Sequence, residues 1–411
     1  MNLLVFSPYY PPHIGGLESH ADEFNKHLSA RGVRITVFTP RLPETALPQE
    51  TRHESVRVLR FPAVEPIPNY PLPAVWLPLF WKLLQAASTP KPDVIISRTR
   101  FFSTSLFALL YAKIRRVPLL HIEHGSDFAS FREPWKTTLG KWYDRIFGVL
   151  VLRYADVVIA NSLASSAFVK RLSGTEARAL YRGVDQKNFS PHPLIEVFLG
   201  ERKDRMIIGF IGRLIDGKGV NDLLAAIIPL LHTRDDFVVF LLGDGPERSR
   251  IEATISHSEY SSRIFSVGQK EHDEAMRFLQ AFDIFVHPSY TEGLPTGVVE
   301  AALAKKAIIA TDVGGTCEII SGKGDGFLIP PKSPEVLREK IEYLLEHPEV
   351  RKEFGEAAQR SVATKFDWNT TAARSLELLE TLAEKRLLGK NLSQRRAENR
   401  EASDSSEALR K

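Results

Sequence analysis

The chain has 411 residues, 43% hydrophobic and 25% charged, an ordinary globular balance in a chain too long for one typical core, so two domains are expected. Its net charge of +4 admits anionic ligands or a membrane surface, and without a basic run interleaved with aromatics it argues against a nucleic-acid partner. A single cysteine, Cys317, excludes an intrachain disulfide and points to a reducing, cytoplasmic setting.

In chain order, MNLLVFSPYYPP reads as a strand and a loop, without the basic segment and long apolar core of a signal peptide. No apolar run approaches the ~20 residues of a membrane span. The nearest, IFGVLVL (146–152), stops at Arg153. Strands are expected at NLLVFS, RITVFT, DVIISR, PLLHIEH and DVVIAN, then at RMIIGFIG, FVVFLLG, RIFSVG, DIFVHP and AIIATD. Amphipathic stretches separate these β-branched runs, which predicts parallel strands covered on both faces and an α/β doubly wound architecture. The alternation breaks between Val184 and Arg205, a charged, proline-bearing stretch read as a linker. Two Rossmann-like domains follow, 1–190 and 200–365, facing each other across a cleft. A last helix, 366–388, is expected to cross back onto the first domain, and the polar tail 389–411 reads as disordered.

Doubly wound sheets bind ligands beyond the carboxyl ends of their strands, so the loops after strands carry the chemistry. After the first strand, Gly15-Gly16 permits close backbone approach before a helix starting near Leu17, although a tight turn explains the pair equally well. In 61–87, Trp76, Leu77, Phe80, Trp81 and Leu84 fall on one helical face. That face either packs on the sheet or meets a bilayer interface, which leaves peripheral membrane contact through 73–87 open. PLLHIEHGSDF places His121, Glu123 and His124 at a strand end. A zinc reading fails for want of an HExxH helix or cysteine ligands, whereas His124 at the cleft edge suits a sugar hydroxyl.

Gly212 to Lys218 fits the start of a P-loop, but Gly219 stands where magnesium needs a Ser or Thr, so a nucleoside triphosphatase is disfavoured. Arg213 and Lys218 nevertheless sit as two cations beside a strand end and a helix start, as a diphosphate requires, unless they are solvated loop charges. GDGP, with Gly243, is a further glycine turn, and the backbone near Gln269 and Lys270 suits a base edge. HPSYTEGLPTGVVEA sets two carboxylates about a phosphate-type turn. Pro295 suits a first helical turn, and Gly293 and Gly297 admit a ligand to the backbone. Glu300, a turn inside that helix, suits a ribose diol, and Glu292 suits a sugar on the other side of the phosphates. Each carboxylate also has a plain reading, as a dipole-favoured helix start or a loop charge. No D-x-D motif stands in the chain, consistent with protein cations rather than a metal neutralising a diphosphate.

PPHIGGLE, HGSDF, VIANSLASSAFVKRL, GRLIDGKGV, GDGP, HPSYTEGLPTGVVEAALAKKAIIATDVGGTCEII and FDWNTTAARSLELL occur in this order. From residue 1 to about 385 the chain resembles the retaining GT-B glycosyltransferases of family 4, the glycosyl transferases group 1. The resemblance implies an EC 2.4 enzyme moving a sugar from a UDP- or GDP-type nucleotide sugar to a hydroxyl acceptor in glycan, polysaccharide or glycolipid synthesis. It implies metal independence and no bound cofactor. By position, Arg213 and Lys218 resemble the pair gripping the donor diphosphate, and Glu300 the ribose ligand. Glu292 resembles the first glutamate of E-x7-E near the donor sugar, with Leu294, Pro295, Thr296 and Gly297 lining the phosphates. His124 resembles the histidine at the donor sugar, and Gly15 and Gly16 the loop facing the diphosphate. One departure is YRGVD, where Arg182 stands in place of the family's frequent asparagine. A sugar-nucleotide 2-epimerase and a non-catalytic binder of the same fold remain alternatives. A dehydrogenase lacks its G-x-G-x-x-G after the first strand.

Overall fold

The computed structural model describes residues 1–13, 15–67, 70–128, 134–184, 191, 193–199 and 204–386. The first half supplies strands β1 (Asn2–Phe6), β2 (Arg34–Pro40), β3 (Gln49–Arg52), β4 (Val56–Phe61), β5 (Ala63–Ile67), β6 (Tyr70–Pro73), β7 (Val94–Arg98), β8 (Leu119–Glu123), β9 (Val157–Ala160) and β10 (Arg178–Ala179). All but β5 and β6 form an eight-stranded sheet in the order β10-β9-β8-β7-β1-β2-β4-β3. Its pairings are parallel except β3 on β4, and β5 and β6 make a separate antiparallel ribbon.

Along β1 the side chains alternate between two apolar layers, as a strand buried on both faces requires. Leu3 and Val5 meet Phe24 and Leu28 of the helix Gly16–Ser29, together with Trp368, Leu379 and Leu382. Leu4 and Phe6 meet Phe80 and Leu84 of the helix Pro78–Ala87, Ala108 and Ala112 of Ser103–Arg115, and Val151 of Val149–Tyr154. The helix 368–386 therefore lies under the first sheet although it follows the second in sequence. Arg386 fastens its end by donating from Nη1 to the Pro92 carbonyl at 2.7 Å.

The second half supplies β11 (Met206–Ile211), β12 (Phe237–Leu242), β13 (Ile264–Gly268), β14 (Ile284–His287), β15 (Ala307–Thr311) and β16 (Phe327–Ile329). They form a six-stranded parallel sheet in the order β13-β12-β11-β14-β15-β16. Helices Val220–Thr233 and Pro334–Glu346 cover one face, and His272–Ala281 and Thr296–Leu303 the other.

Two expectations change. Trp76, Leu77, Phe80, Trp81 and Leu84 do not share one face: Phe80 and Leu84 are buried on the sheet, while Trp76, Leu77 and Trp81 are exposed. The turn before the helix rotates residues 76 and 77 away from the helical phase. Within the expected linker, the described stretch holds a short helix, Leu194–Leu199, whose Ile195 packs in the second core. Residues 185–190, 192 and 200–203 of the linker, residues 387–388 of the last helix and the tail 389–411 lie outside the described residues.

Each sheet reverses its winding once. In the first, β1 has β2 on one side and β7 on the other; in the second, β11 lies between β12 and β14. Loops leaving adjacent strands there diverge to opposite faces and open a crevice at their carboxyl ends.

Candidate active site

The crevice of the second sheet is built by the loops after β11 and β14. After β11 the chain makes a single 3-10 turn, Asp216–Lys218, then enters the helix Val220–Thr233 through Gly219. Gly219 has φ +65°, and a Cβ there would stand 2.0 Å from the Pro288 carbonyl oxygen, so only glycine lets the two loops meet. Tyr290 N–H donates to the Gly217 carbonyl at 2.8 Å and ties them further.

This contact brings Lys218 to Glu292. Lys218 Nζ lies 2.5 Å from Glu292 Oε1, and His287 Nε2 lies 2.7 Å from the same oxygen. Ser289 Oγ is 3.1 Å from His287 Nε2. Burial would push the Glu292 carboxyl up, but the Lys218 charge and the His287 hydrogen bond hold it well below the usual carboxylate range. Two residues that sequence separates into a phosphate ligand and a sugar ligand thus form one ion pair. An ammonium has three donors, so Lys218 keeps others for an anion in the crevice.

Arg213 is exposed on the same loop. It borders a cavity of about 430 Å³ shared with Gly212, Gly243, Gln269, Lys270 and, from the first domain, His13 and Gly15. Lys270 also lines an adjoining cavity of about 470 Å³, where Glu300 faces Arg182 and His272. Glu300 Oε1 lies 2.9 Å from His272 Nε2, and the hydrogen bond to Glu300 raises the imidazole's pKa. The helix Thr296–Leu303 starts after Pro295, and its first-turn amides, at Thr296 and Gly297, have no acceptor within the helix. The side chain of Leu294 is buried in the second core, so only its backbone is available to a ligand.

The opposite wall comes from the first sheet. His124 follows β8 and is stacked edge-on to His20, with Nε2 3.3 Å from His20 Nδ1. Arg98 Nη1 lies 3.0 Å from that same His20 nitrogen. Burial, joined by the Arg98 charge, lowers the His124 pKa to about 3, so its ring is neutral at neutral pH. His20 is likewise pushed down, by burial and by His124. A neutral ring offers a hydrogen bond without a charge, which suits a sugar hydroxyl. Glu123 is fully buried against Arg100 at 2.9 Å and accepts the amides of His124 at 2.9 Å and Gly125 at 2.7 Å. His121 Nδ1 is engaged by Ser97 Oγ at 2.8 Å. These bonds make the H-x-E-H stretch a brace for the His124 loop.

The two walls touch. Ser126 Oγ donates to the Glu292 carbonyl. A Cβ on Gly293 would stand 1.9 Å from the His124 carbonyl oxygen. Arg182 Nη1 donates to Thr296 Oγ1 at 3.0 Å, so the departure YRGVD places a cation at the start of the helix. Sequence reasoning did not single out His13, His20, Arg98, His272 or His287. His13 lies within PPHIGG, stacked on Tyr9 at 4.2 Å with Nδ1 2.6 Å from Glu18 Oε1. His287 ends β14, and His272 opens the helix beside Glu300. Their residue type next to the glycine loops was the available signal.

Residues 14–188 match the family model for Glycosyltransferase Family 4, and residues 193–361 the model for Glycosyl transferases group 1. The chain belongs to the family 4 glycosyltransferases. It is 31% identical over 389 residues to an uncharacterized glycosyltransferase of Methanocaldococcus jannaschii, a match covering 93% of this chain and 99% of that one. Among solved structures, this glycosyltransferase is similar to sucrose-phosphate synthase from Thermosynechococcus elongatus, with TM-score 0.77 and 22% identity over 93% of this chain and 98% of the other. It is also similar to Anabaena HepE in complex with UDP-glucose, with TM-score 0.72 and 22% identity over 93% and 100% of the two chains. The fold is therefore GT-B. Among the described residues of the glycosyltransferase, no His, Cys, Asp or Glu cluster is arranged to hold a metal ion. No described helix is long and apolar enough to cross a membrane.

Proposed function

We propose that this glycosyltransferase takes the sugar of a nucleoside-diphosphate sugar, of the UDP or GDP type, and transfers it to a hydroxyl acceptor with retention at the anomeric carbon and without a metal. The observation that supports this reading is the meeting of the loops after β11 and β14, with Arg213 bordering the cavity at Gly212 and Gly243, Lys218 on Glu292 and Arg182 on Thr296 at the helix start, opposite the neutral His124. The UDP-glucose held by the similar Anabaena protein supports a UDP-type donor.

In this reading residues 200–365 hold the donor and 1–190 the acceptor. The base occupies the cavity at Gly243 and Gln269, and the ribose hydroxyls donate to Glu300 in place of His272. The diphosphate lies between Arg213, Lys218 and the first-turn amides, with Gly15 and Gly16 facing it from the other lobe. The sugar meets Glu292 and His124.

As the anomeric C–O bond breaks, its electron pair leaves with the diphosphate, and the two cations and the helix N-terminus stabilise that growing charge. The acceptor oxygen bonds to the anomeric carbon from the side the diphosphate leaves, and its proton passes to a diphosphate oxygen. Glu292 is bound to Lys218 and His287, which favours an electrostatic role over that of a nucleophile. Contact between the walls excludes water and limits hydrolysis of the donor. The setting is cytoplasmic, with peripheral contact at the inner face of a membrane through 73–87, supported by the outward Trp76 and Trp81.

Thermal unfolding with UDP-, GDP- and ADP-sugars tests the reading. A stabilising shift with UDP- or GDP-sugars is expected, and Arg213→Ala should abolish it. A panel without any shift would contradict the donor site.

A further inference from the structure

We propose that the outer helical layer of the first sheet is a docking face for an anionic lipid bilayer. This extends the peripheral contact at 73–87 to three further helices and specifies the lipid charge.

Helices Pro78–Ala87, Ser103–Arg115 and Val149–Tyr154 lie in the layer that covers one face of the first sheet, each giving its inner side to the same core. The helix Pro134–Tyr143 runs into the last of these through a single π-turn, Asp144–Gly148. Trp81 and Phe107 are in ring contact at 6.1 Å, which joins the first two helices. Tyr143 meets Phe101 at 6.0 Å and Tyr70 at 6.2 Å, which seats the fourth helix beside the start of Ser103–Arg115.

The outer sides are apolar where a solvated layer would be polar. Most of the exposed large hydrophobic residues among those described lie here, in 75–81, 110–114 and 135–154. The chain has five tryptophans; Trp368 is buried, whereas Trp76 (63%), Trp81 (52%), Trp135 (62%) and Trp142 (55%) stand exposed on this layer. Indole is the side chain best suited to the membrane–water boundary, with an apolar body and one N–H donor.

Charge decides between a bilayer and an apolar protein partner. Residues 75–87, 103–116 and 134–154 carry Lys82, Lys113, Arg115, Arg116, Lys136, Lys141, Arg145 and Arg153. Their one acidic residue, Asp144, is buried and paired with Arg100 at 2.9 Å. The exposed carboxylate that follows the last segment, Asp156, is 3.9 Å from Lys113, so the remaining cations around the indoles still outnumber carboxylates and match a surface of anionic headgroups over acyl chains. An apolar cavity of about 170 Å³ opens among these residues, between Tyr70, Phe101, Leu139 and Trp142, as a slot for the end of an acyl chain. Ring contacts lead from it towards the cleft, Tyr70 to Phe102 at 5.8 Å, Phe102 to Tyr9 at 5.7 Å and Tyr9 to His13 at 4.2 Å. The docked face therefore adjoins the acceptor side of the crevice.

The test is flotation of the full chain with vesicles of phosphatidylcholine alone, and with equal parts phosphatidylcholine and phosphatidylglycerol. The protein is expected to float with the mixed vesicles and to bind them at least about tenfold more tightly than the neutral ones. The variant Trp76→Ser/Trp135→Ser, and separately Lys141→Ser/Arg145→Ser, should each lose about tenfold in binding to mixed vesicles. Thermal shift with UDP-glucose, measured on the same samples, should be unchanged in both variants. Wild type that stays at the bottom with both vesicle types overturns the proposal. So does mixed-vesicle binding that both variants retain in full. Failure of the UDP-glucose shift in wild type would instead count against the donor site and leave the lipid result standing.

Discussion

Lys218 donates to Glu292, and in the proposed donor site its remaining N–H groups hold the leaving diphosphate. Replacing it by alanine removes a positioned cation from the charge that develops on departure, and kcat should fall by about a hundredfold or more. The fold should survive, because Glu292 keeps His287 as a partner. Turnover and thermal unfolding of Lys218→Ala, measured side by side, check both halves. Glu300 makes a second prediction. Its hydrogen bond raises the His272 pKa above 6.5, so this pairing stabilises the fold below pH 6.5 and is lost as pH rises through the raised value. In the proposed donor site a charged His272 competes with ribose for Glu300. Affinity for UDP-glucose should therefore increase as pH rises above 6.5, and His272→Gln should flatten that rise. Calorimetric titration across the range reads it; a wild-type profile as flat as the variant's would refute the competition.

At the scale of elements, the meeting of β11 and β14 loops with the β8 loop is what assembles the site. Gly293→Ala puts a Cβ 1.9 Å from the His124 carbonyl oxygen, so the walls must part. Misplacement of about 1 Å between donor and acceptor walls should cost roughly a hundredfold in kcat. The melting temperature should move little, because each sheet keeps its own core. Unaltered kcat would mean that catalysis does not need this contact. The sequence made legible those strands that are continuous apolar runs between helical stretches, such as β1 and β12. It concealed β4, VRVLRF, whose Arg60 is buried and donates to the Leu47 carbonyl at 2.7 Å. It concealed β3, β5 and β6 as well, since QETR, AVEPI and YPLP carry charges and prolines against strand propensity. The glycine loops and their cations were legible as positions because they are distinctive residue types at short spacing, and the structure sets Lys218 on Glu292 where the two loops meet. Contacts between lobes were not: Arg182 and Thr296 are 114 residues apart, and Ser126 and Glu292 are 166 apart. No local pattern records such a pair.

For the whole molecule, the helix 368–386 is the link that returns the chain from the second half to the first. Ending the chain after Asp367 removes Trp368, Leu379 and Leu382 from the core beneath β1. Three large buried side chains at about 1.5–3 kcal/mol each approach the whole stability of a typical domain. The truncated protein should aggregate or melt far below wild type, and equal melting temperatures would contradict the packing described.

In the proposed function the switch-point crevice of the second sheet binds a nucleotide's diphosphate and turns its sugar to the first domain. A crystal structure with bound UDP-glucose tests this most directly. Phosphate oxygens are expected within hydrogen-bonding distance of Arg213 and Lys218, ribose hydroxyls on Glu300, and the glucose between Glu292 and His124. A nucleotide bound away from Arg213 and Glu300 would contradict it.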